Sequence, residues 1–283
     1  MDKEILKEEL GISNDVKMLV SLVKNRIGDD FAKNYKNKKL YYGLNQEFPY
    51  KVFHGDVSIK WRNIDIHIIY YVMPDNDEYV IRNYLKRFNS TSNIERYELH
   101  LYLVGHDNKI LWENFNRTIQ HEVEHFFQLY KKGKELLTAK QNEEYQSLLP
   151  LTRSTDYYEK IIGFTYYYYN RVEKNALING MYGEIMGKYL PGYNLEPLEE
   201  IKKSSVYNNI KKIKQVIKSD SDRRFLINRL NLINKDIKSY LRIANTVINE
   251  YTKAFGKLLY KLKKDIADAN KHILINLDNA EIE

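Results

Sequence analysis

Residues 109–133 read KILWENFNRTIQHEVEHFFQLYKKG, and this stretch decides how the rest of the chain is interpreted. Apolar side chains recur through it at helical spacing, and two lysines followed by Gly133 mark its end. The pattern predicts one amphipathic helix over about residues 109–132. Its apolar stripe consists of Trp112, Phe115, Ile119, Val123, Phe126 and Tyr130.

Within this helix the motif H-E-x-x-H runs from His121 through Glu122 to His125. Histidines four residues apart project from one face of a helix, so two imidazoles can bind one ion. At about 100° per residue, both histidines lie roughly 140–180° from the centre of the apolar stripe. Glu122 lies beside that face, where a carboxylate can take a proton from a water activated by Zn²⁺. The motif predicts a zinc site with His121 and His125 as ligands and Glu122 as general base.

Cysteine is absent from the 283 residues, which limits the chemistry of any metal site. Disulfides, thiolate zinc ligands and a thiol nucleophile are excluded. Any further zinc ligand must therefore be a histidine or a carboxylate.

The remaining pattern predicts an α+β protein. Residues 51–73 alternate apolar and polar side chains around Arg62-Asn63, which predicts a hairpin or two consecutive strands, and residues 98–104 predict another strand. Helical spacing covers the other segments, and it is continuous from Leu198 to the end of the chain. Further helices are predicted over residues 77–89 and 139–149. Residues 3–35 predict one or two short helices, and residues 155–189 predict one long helix or two.

Strands followed by an H-E-x-x-H helix resemble the zincin metallopeptidases over roughly residues 50–190. The resemblance implies a zinc-dependent endopeptidase with a small sheet, an active-site helix and an all-helical C-terminal region. By analogy, strand 98–104 would line the cleft. The predicted division is an N-terminal helical segment (1–48), a zincin-like metallopeptidase domain (49–192) and a helical C-terminal region (193–283).

Among zincins, the metzincin branch is ruled out, because its glycine and third histidine would stand where this chain has Gln128 and Lys131. The only later histidine, His272, lies far down the helical tail. The resemblance is therefore to gluzincins, whose third ligand is a downstream glutamate.

Glu173 is the preferred third ligand, because Glu173 to Ala176 matches an E-x-x-A pattern on the glutamate helix of several gluzincins. Its alternative role is a surface ion pair with Arg171 or Lys174. Other carboxylates stay open as ligands, although the last two follow the active helix closely: Glu159, Glu184, Glu143 and Glu144.

A run of four tyrosines, Tyr166 to Tyr169, precedes Glu173. On one continuous helix, Tyr169 would share a face with Glu173 at a spacing of four residues. We therefore predict Tyr169 as a catalytic residue that donates a hydrogen bond to a developing oxyanion, as tyrosine or histidine does in many zincins. The alternative is packing of a tyrosine-rich amphipathic helix.

The expected partners follow from charge and hydropathy. The net charge is +7, but 45 basic and 38 acidic residues are interspersed, which argues against nucleic acid as the main partner. No apolar run is long enough for a membrane span, and the charged start MDKEILKEEL does not resemble a signal peptide. We expect a cytoplasmic enzyme acting on a protein or peptide, with a helical partner possible through the C-terminal region.

A second hypothesis is a structural or interaction protein that retains a zincin-like domain. The abundance of Asn, Lys and Ile fits a low-GC genome, such as those of anaerobic bacteria and their phages. A phage virion component, and hence a virion location, is the example that the long helical C-terminal part motivates. Five basic residues of that part suit an acidic partner or a solvated face: Lys211, Lys212, Lys214, Arg223 and Arg224.

Overall fold

A computed structural model describes residues 14–36, 41–42, 51–74, 90–93, 96–106, 109–112, 115–132, 145–189 and 195–280. The protein is a mixed α+β chain that divides into two compact units. One spans Gly11–Gly133 and is called the sheet unit. The other comprises Met1–Leu10 and Lys134–Glu283 and is called the helical unit.

The sheet unit contains two described helices and six described strands. The helices are α1 (Asn14–Lys36) and α2 (Asn116–Lys132). The strands are β1 (Tyr41–Tyr42), β2 (Lys51–Trp61), β3 (Ile64–Pro74), β4 (Thr91–Asn93), β5 (Glu98–His106) and β6 (Lys109–Ile110). Their order is β1-β2-β3-β5-β4, with β6 paired to β5, and β3 and β5 run parallel.

The predicted hairpin is confirmed, because β2 and β3 pair antiparallel around the turn at Arg62 and Asn63. Arg62 adopts a positive φ of 54°, which the tight turn imposes, and its guanidinium bonds the Asp15 carboxylate at 2.8 Å. The predicted strand at 98–104 is also confirmed as part of β5.

Alternate residues of the strands build the core of the sheet unit. Every second side chain of β2, β3 and β5 is buried with apolar residues of α1 and α2. Gly55 allows one close contact in this layer, since a Cβ there would lie 2.1 Å from the Tyr70 ring. The Tyr70 hydroxyl then reaches α1 and donates to Asp30 at 2.6 Å.

The helical unit begins, among described residues, with a helical turn at 145–148 that leads into a 3₁₀ helix at Leu149–Arg153. Six α-helices follow: α3 (Tyr157–Tyr169), α4 (Arg171–Lys188), α5 (Pro197–Lys203), α6 (Ser205–Lys218), α7 (Asp220–Leu232) and α8 (Ile237–Ala280). The expectation of continuous helical structure after Leu198 is confirmed apart from short breaks. At one of these, between α7 and α8, Asn234 has φ 55°.

Helix α2 is shorter than predicted, because it begins at Asn116 and not near residue 109. Lys109 and Ile110 instead form β6, which pairs with His106 and Gly105 of β5. The turn predicted at 105–108 therefore folds the chain back along the sheet edge before the helix starts. The described residues do not include the predicted helix 77–89. They also leave out residues 3–13 of the helical segment predicted at 3–35 and residues 139–144 of the helix predicted at 139–149.

The two units divide the chain differently from the predicted segments 1–48, 49–192 and 193–283. Their boundary at 133/134 falls inside the segment expected to be one metallopeptidase domain. The physical reason is that α1 packs on the sheet, while α3 and α4 pack with the later helix α8. No helix of the described residues is long and apolar enough to cross a membrane.

Candidate metal centre

Helix α2 presents its two histidines side by side. The Nε2 atoms of His121 and His125 lie 3.1 Å apart, and the ring planes are nearly perpendicular at 87°. Two nitrogens bound to one tetrahedral zinc at about 2.05 Å lie roughly 3.3 Å from each other. The pair is therefore arranged as two ligands of one ion would be.

Burial affects the protonation of this pair. It lowers the pKa of His125 from 6.5 to about 4, because a charged imidazolium is poorly solvated there. At neutral pH the His125 ring is thus uncharged, which is the form that ligates a metal.

Helix α2 buries polar side chains in addition to its apolar stripe. Phe115, Ile119 and Val123 are buried as predicted, but Glu122 and Glu124 are also only 8% and 6% exposed. Glu124 accepts a hydrogen bond from the Gln128 amide at 3.2 Å. The motif is therefore set in a polar, largely enclosed environment, whereas the sequence pattern placed the histidines on a face away from the core.

Glu173 belongs to the helical unit, in the first turn of α4. Asn170 ends α3 and caps α4, with its side chain accepting from the Val172 amide at 3.0 Å. Both carboxylate oxygens of Glu173 accept hydrogen bonds, one from the Tyr167 hydroxyl at 2.9 Å and the other from the Tyr145 hydroxyl at 3.4 Å. A carboxylate at this helix start is also favoured by the helix dipole.

Both tyrosines remain protonated at neutral pH. Burial, followed by the nearby Glu173 carboxylate, raises the pKa of Tyr145 and of Tyr167 above the ordinary tyrosine value. Their hydroxyls therefore act as donors to Glu173 and leave it as the acceptor.

The histidine pair offers two nitrogen ligands for a metal ion, and Glu173 is the carboxylate that the sequence analysis prefers as the third ligand. Two imidazole nitrogens and one carboxylate oxygen make a donor set that suits zinc. Glu173 as the third ligand stays a prediction.

The alternative carboxylates have other partners. Glu159 accepts a hydrogen bond from the Ser154 hydroxyl at 2.6 Å, close to the start of α3. Glu184 forms an ion pair with Lys188 at 3.3 Å on the surface of α4. The described residues do not include two further candidates, Glu143 and Glu144, and they do not include the side chain of His272.

The register argument for Tyr169 does not hold, because α3 ends at this residue and Asn170 breaks the helix. The Tyr169 side chain is 45% exposed, and the tyrosines that contact Glu173 are Tyr167 and Tyr145. A catalytic role for Tyr169 stays a prediction. Sequence spacing missed the other two, and the one signal for Tyr167 was its place in the tyrosine run.

The basic residues of α6 and α7 are mainly solvated. Lys211, Lys212, Lys214 and Arg224 are exposed, while Arg223 donates to the Ile217 carbonyl at 2.6 Å. This arrangement fits the solvated face considered above, and an acidic partner stays a prediction.

Comparison with known proteins leaves the geometry as the basis for function: no family model, no curated protein and no solved structure matches this chain.

Proposed function

We propose that this protein is a zinc-dependent endopeptidase of the gluzincin type. The observation that carries the proposal is the pair of His121 and His125 on α2, whose Nε2 atoms lie 3.1 Å apart. The second histidine follows the first by four residues and Glu122 by three, as the H-E-x-x-H chemistry requires.

In this proposal the residues of the chain have distinct tasks. His121, His125 and Glu173 hold the ion, which when bound supplies a Lewis acid that polarises a peptide carbonyl and acidifies a water. Glu122 accepts the proton from the attacking water and passes it to the leaving nitrogen.

The first test is the metal content of the full-length chain. After purification without chelators, inductively coupled plasma mass spectrometry is expected to find close to one zinc per chain. Removing one ligand, as in His121→Ala, should weaken zinc binding by roughly 10²–10³-fold, if the total binding energy of about 10–16 kcal/mol is shared among four ligands. A wild-type chain that binds no zinc at neutral pH would refute the proposal.

The second test separates catalysis from metal binding. Glu122→Gln should keep the zinc but lower the rate of cleavage of a fluorogenic peptide mixture by about 10²–10⁴-fold, because the amide of glutamine cannot act as the general base. Glu124→Gln is the matched control on the same helix, because glutamine can still accept the hydrogen bond from Gln128. No cleavage above background by either wild type or Glu122→Gln would favour the alternative of a structural protein that retains a zincin-like domain.

A further inference from the structure

The surroundings of Glu173 within the helical unit suggest how its carboxylate is oriented. A glutamate in the first turn of a helix has several rotamers, and a ligand must be held in one of them to bind a metal tightly. Glu173 is half-buried, and each of its carboxylate oxygens accepts a hydrogen bond from a different tyrosine hydroxyl.

The two tyrosines come from separate elements. Tyr145 lies in the helical turn before the 3₁₀ helix, and Tyr167 lies near the end of α3. Their rings stack with centroids 6.3 Å apart and an interplanar angle of 22°, so the two hydroxyls approach the same carboxylate. Beside it, Lys174 forms an ion pair with Glu250 of α8 at 2.9 Å, which fixes the first turn of α4.

We infer that Tyr167 and Tyr145 are positioning residues, which orient the Glu173 carboxylate and thereby set how tightly this chain binds a divalent metal. The inference rests on the proposed metal site. In this inference the two hydroxyls bond the metal ligand Glu173 and do not contact the substrate, so their loss should reduce the affinity for the metal itself. Tyr167 should contribute more than Tyr145, because its hydrogen bond is 2.9 Å long and the other is 3.4 Å.

Zinc affinity of the full-length protein, measured by competition with a chromophoric chelator, tests the inference. Tyr167→Phe should weaken zinc binding by about 10–100-fold, as loss of a partner of a metal ligand does, and Tyr145→Phe by less. Tyr157→Phe is the matched control from the same helix, since this side chain is 44% exposed, and its affinity should equal that of wild type.

Two further measurements exclude a merely structural effect. Combined with Glu173→Gln, Tyr167→Phe should cause no additional loss of affinity, because the hydroxyl acts through the carboxylate. The visible absorption of the Co²⁺-loaded protein should also change with Tyr167→Phe and not with Tyr157→Phe, since it reports the ligand geometry.

The outcomes separate this inference from the proposed function. If wild type binds zinc and His121→Ala loses it, but Tyr167→Phe binds as wild type does, the positioning role is overturned and the metal site stands. An additional loss in the Glu173→Gln background also overturns the positioning role. If wild type binds no zinc, both proposals are overturned.

Discussion

The sheet unit and the helical unit are each stabilised internally, but by different kinds of contact. In the sheet unit, alternate strand residues such as Ile68, Leu99 and Leu101 are fully buried against apolar residues of two helices. In the helical unit, tyrosine side chains also join helices through hydrogen bonds to residues far away in the chain. These pairs are Tyr158 with Asp222 (2.9 Å), Tyr168 with Asn209 (2.9 Å), Tyr240 with Thr165 (2.8 Å) and Tyr182 with Asp265 (2.5 Å).

This difference gives a structural role to these tyrosines of the helical unit. A tyrosine buries a large apolar ring and still offers a hydroxyl that needs a partner, so it can pack and specify a neighbour at once. The difference also explains why the sheet unit follows its sequence pattern closely. An alternation with period 2 predicts which strand side chains are buried. The spacing of residues along the chain does not predict which distant residue a tyrosine hydroxyl will bond.

The largest effect on stability is expected from the apolar core of the sheet unit. Leu101→Ala in β5 should lower the free energy of unfolding by about 2–5 kcal/mol, because Leu101 is 0% exposed and the cavity cannot be filled by its neighbours. Urea unfolding followed by circular dichroism measures it. Met18→Ala on α1, at a side chain 51% exposed, is the control and should change stability by less than about 0.5 kcal/mol. Similar losses for both variants would contradict an apolar core as the main support of this unit.

A smaller effect is expected from a polar contact of the helical unit. Asp156 caps α3 by accepting from two backbone amides, and Arg229 of α7 donates twice to its other oxygen, at 2.7 and 3.0 Å. Asp156→Ala should cost about 1–2 kcal/mol, since it removes the cap and the ion pair. Asp156→Asn should cost less, because its amide oxygen can still cap the helix.

The same contact should depend on pH. Hydrogen bonds from Arg229 and from the Glu159 amide lower the pKa of Asp156 below 3.8. Its carboxylate therefore stabilises the fold above pH 3.8, and this contribution is lost as the pH falls through the lowered folded-state pKa. The stability difference between wild type and Asp156→Asn should be constant near neutral pH and shrink towards pH 3. A difference that grows on acidification would contradict the assigned contact.

The smallest effect is expected from one buried tyrosine hydroxyl. Thr165 donates its proton to the Ile161 carbonyl, so the Tyr240 hydroxyl is the donor in the contact between the two side chains. Tyr240→Phe should cost about 0.5–1.5 kcal/mol, because it removes one hydrogen bond and leaves the ring packing intact. Tyr260→Phe, at a side chain 72% exposed, should have no measurable effect in the same unfolding experiment. Equal stability of all three proteins would mean that packing of the rings alone joins these helices.

The sequence by itself determined the features that depend on neighbours in the chain. The β2–β3 hairpin, strand β5 and the helices after residue 197 follow from periods of 2 and 3.6 residues. The placement of His121 beside His125 has the same origin, because one helical turn separates them. For the same reason, a strand as short as β6 was missed, since two residues carry no period.

Only the tertiary structure decided the features that join distant residues. The E-x-x-A pattern favoured Glu173 and left Glu159 and Glu184 open. The fold pairs Glu159 with Ser154, Glu184 with Lys188 and Glu173 with two tyrosines. The break at Asn170 exposes Tyr169 and leaves Tyr167 to contact Glu173. The physical reason is that a helix cap and a hydroxyl partner depend on three-dimensional contacts, which residue spacing along the chain does not encode.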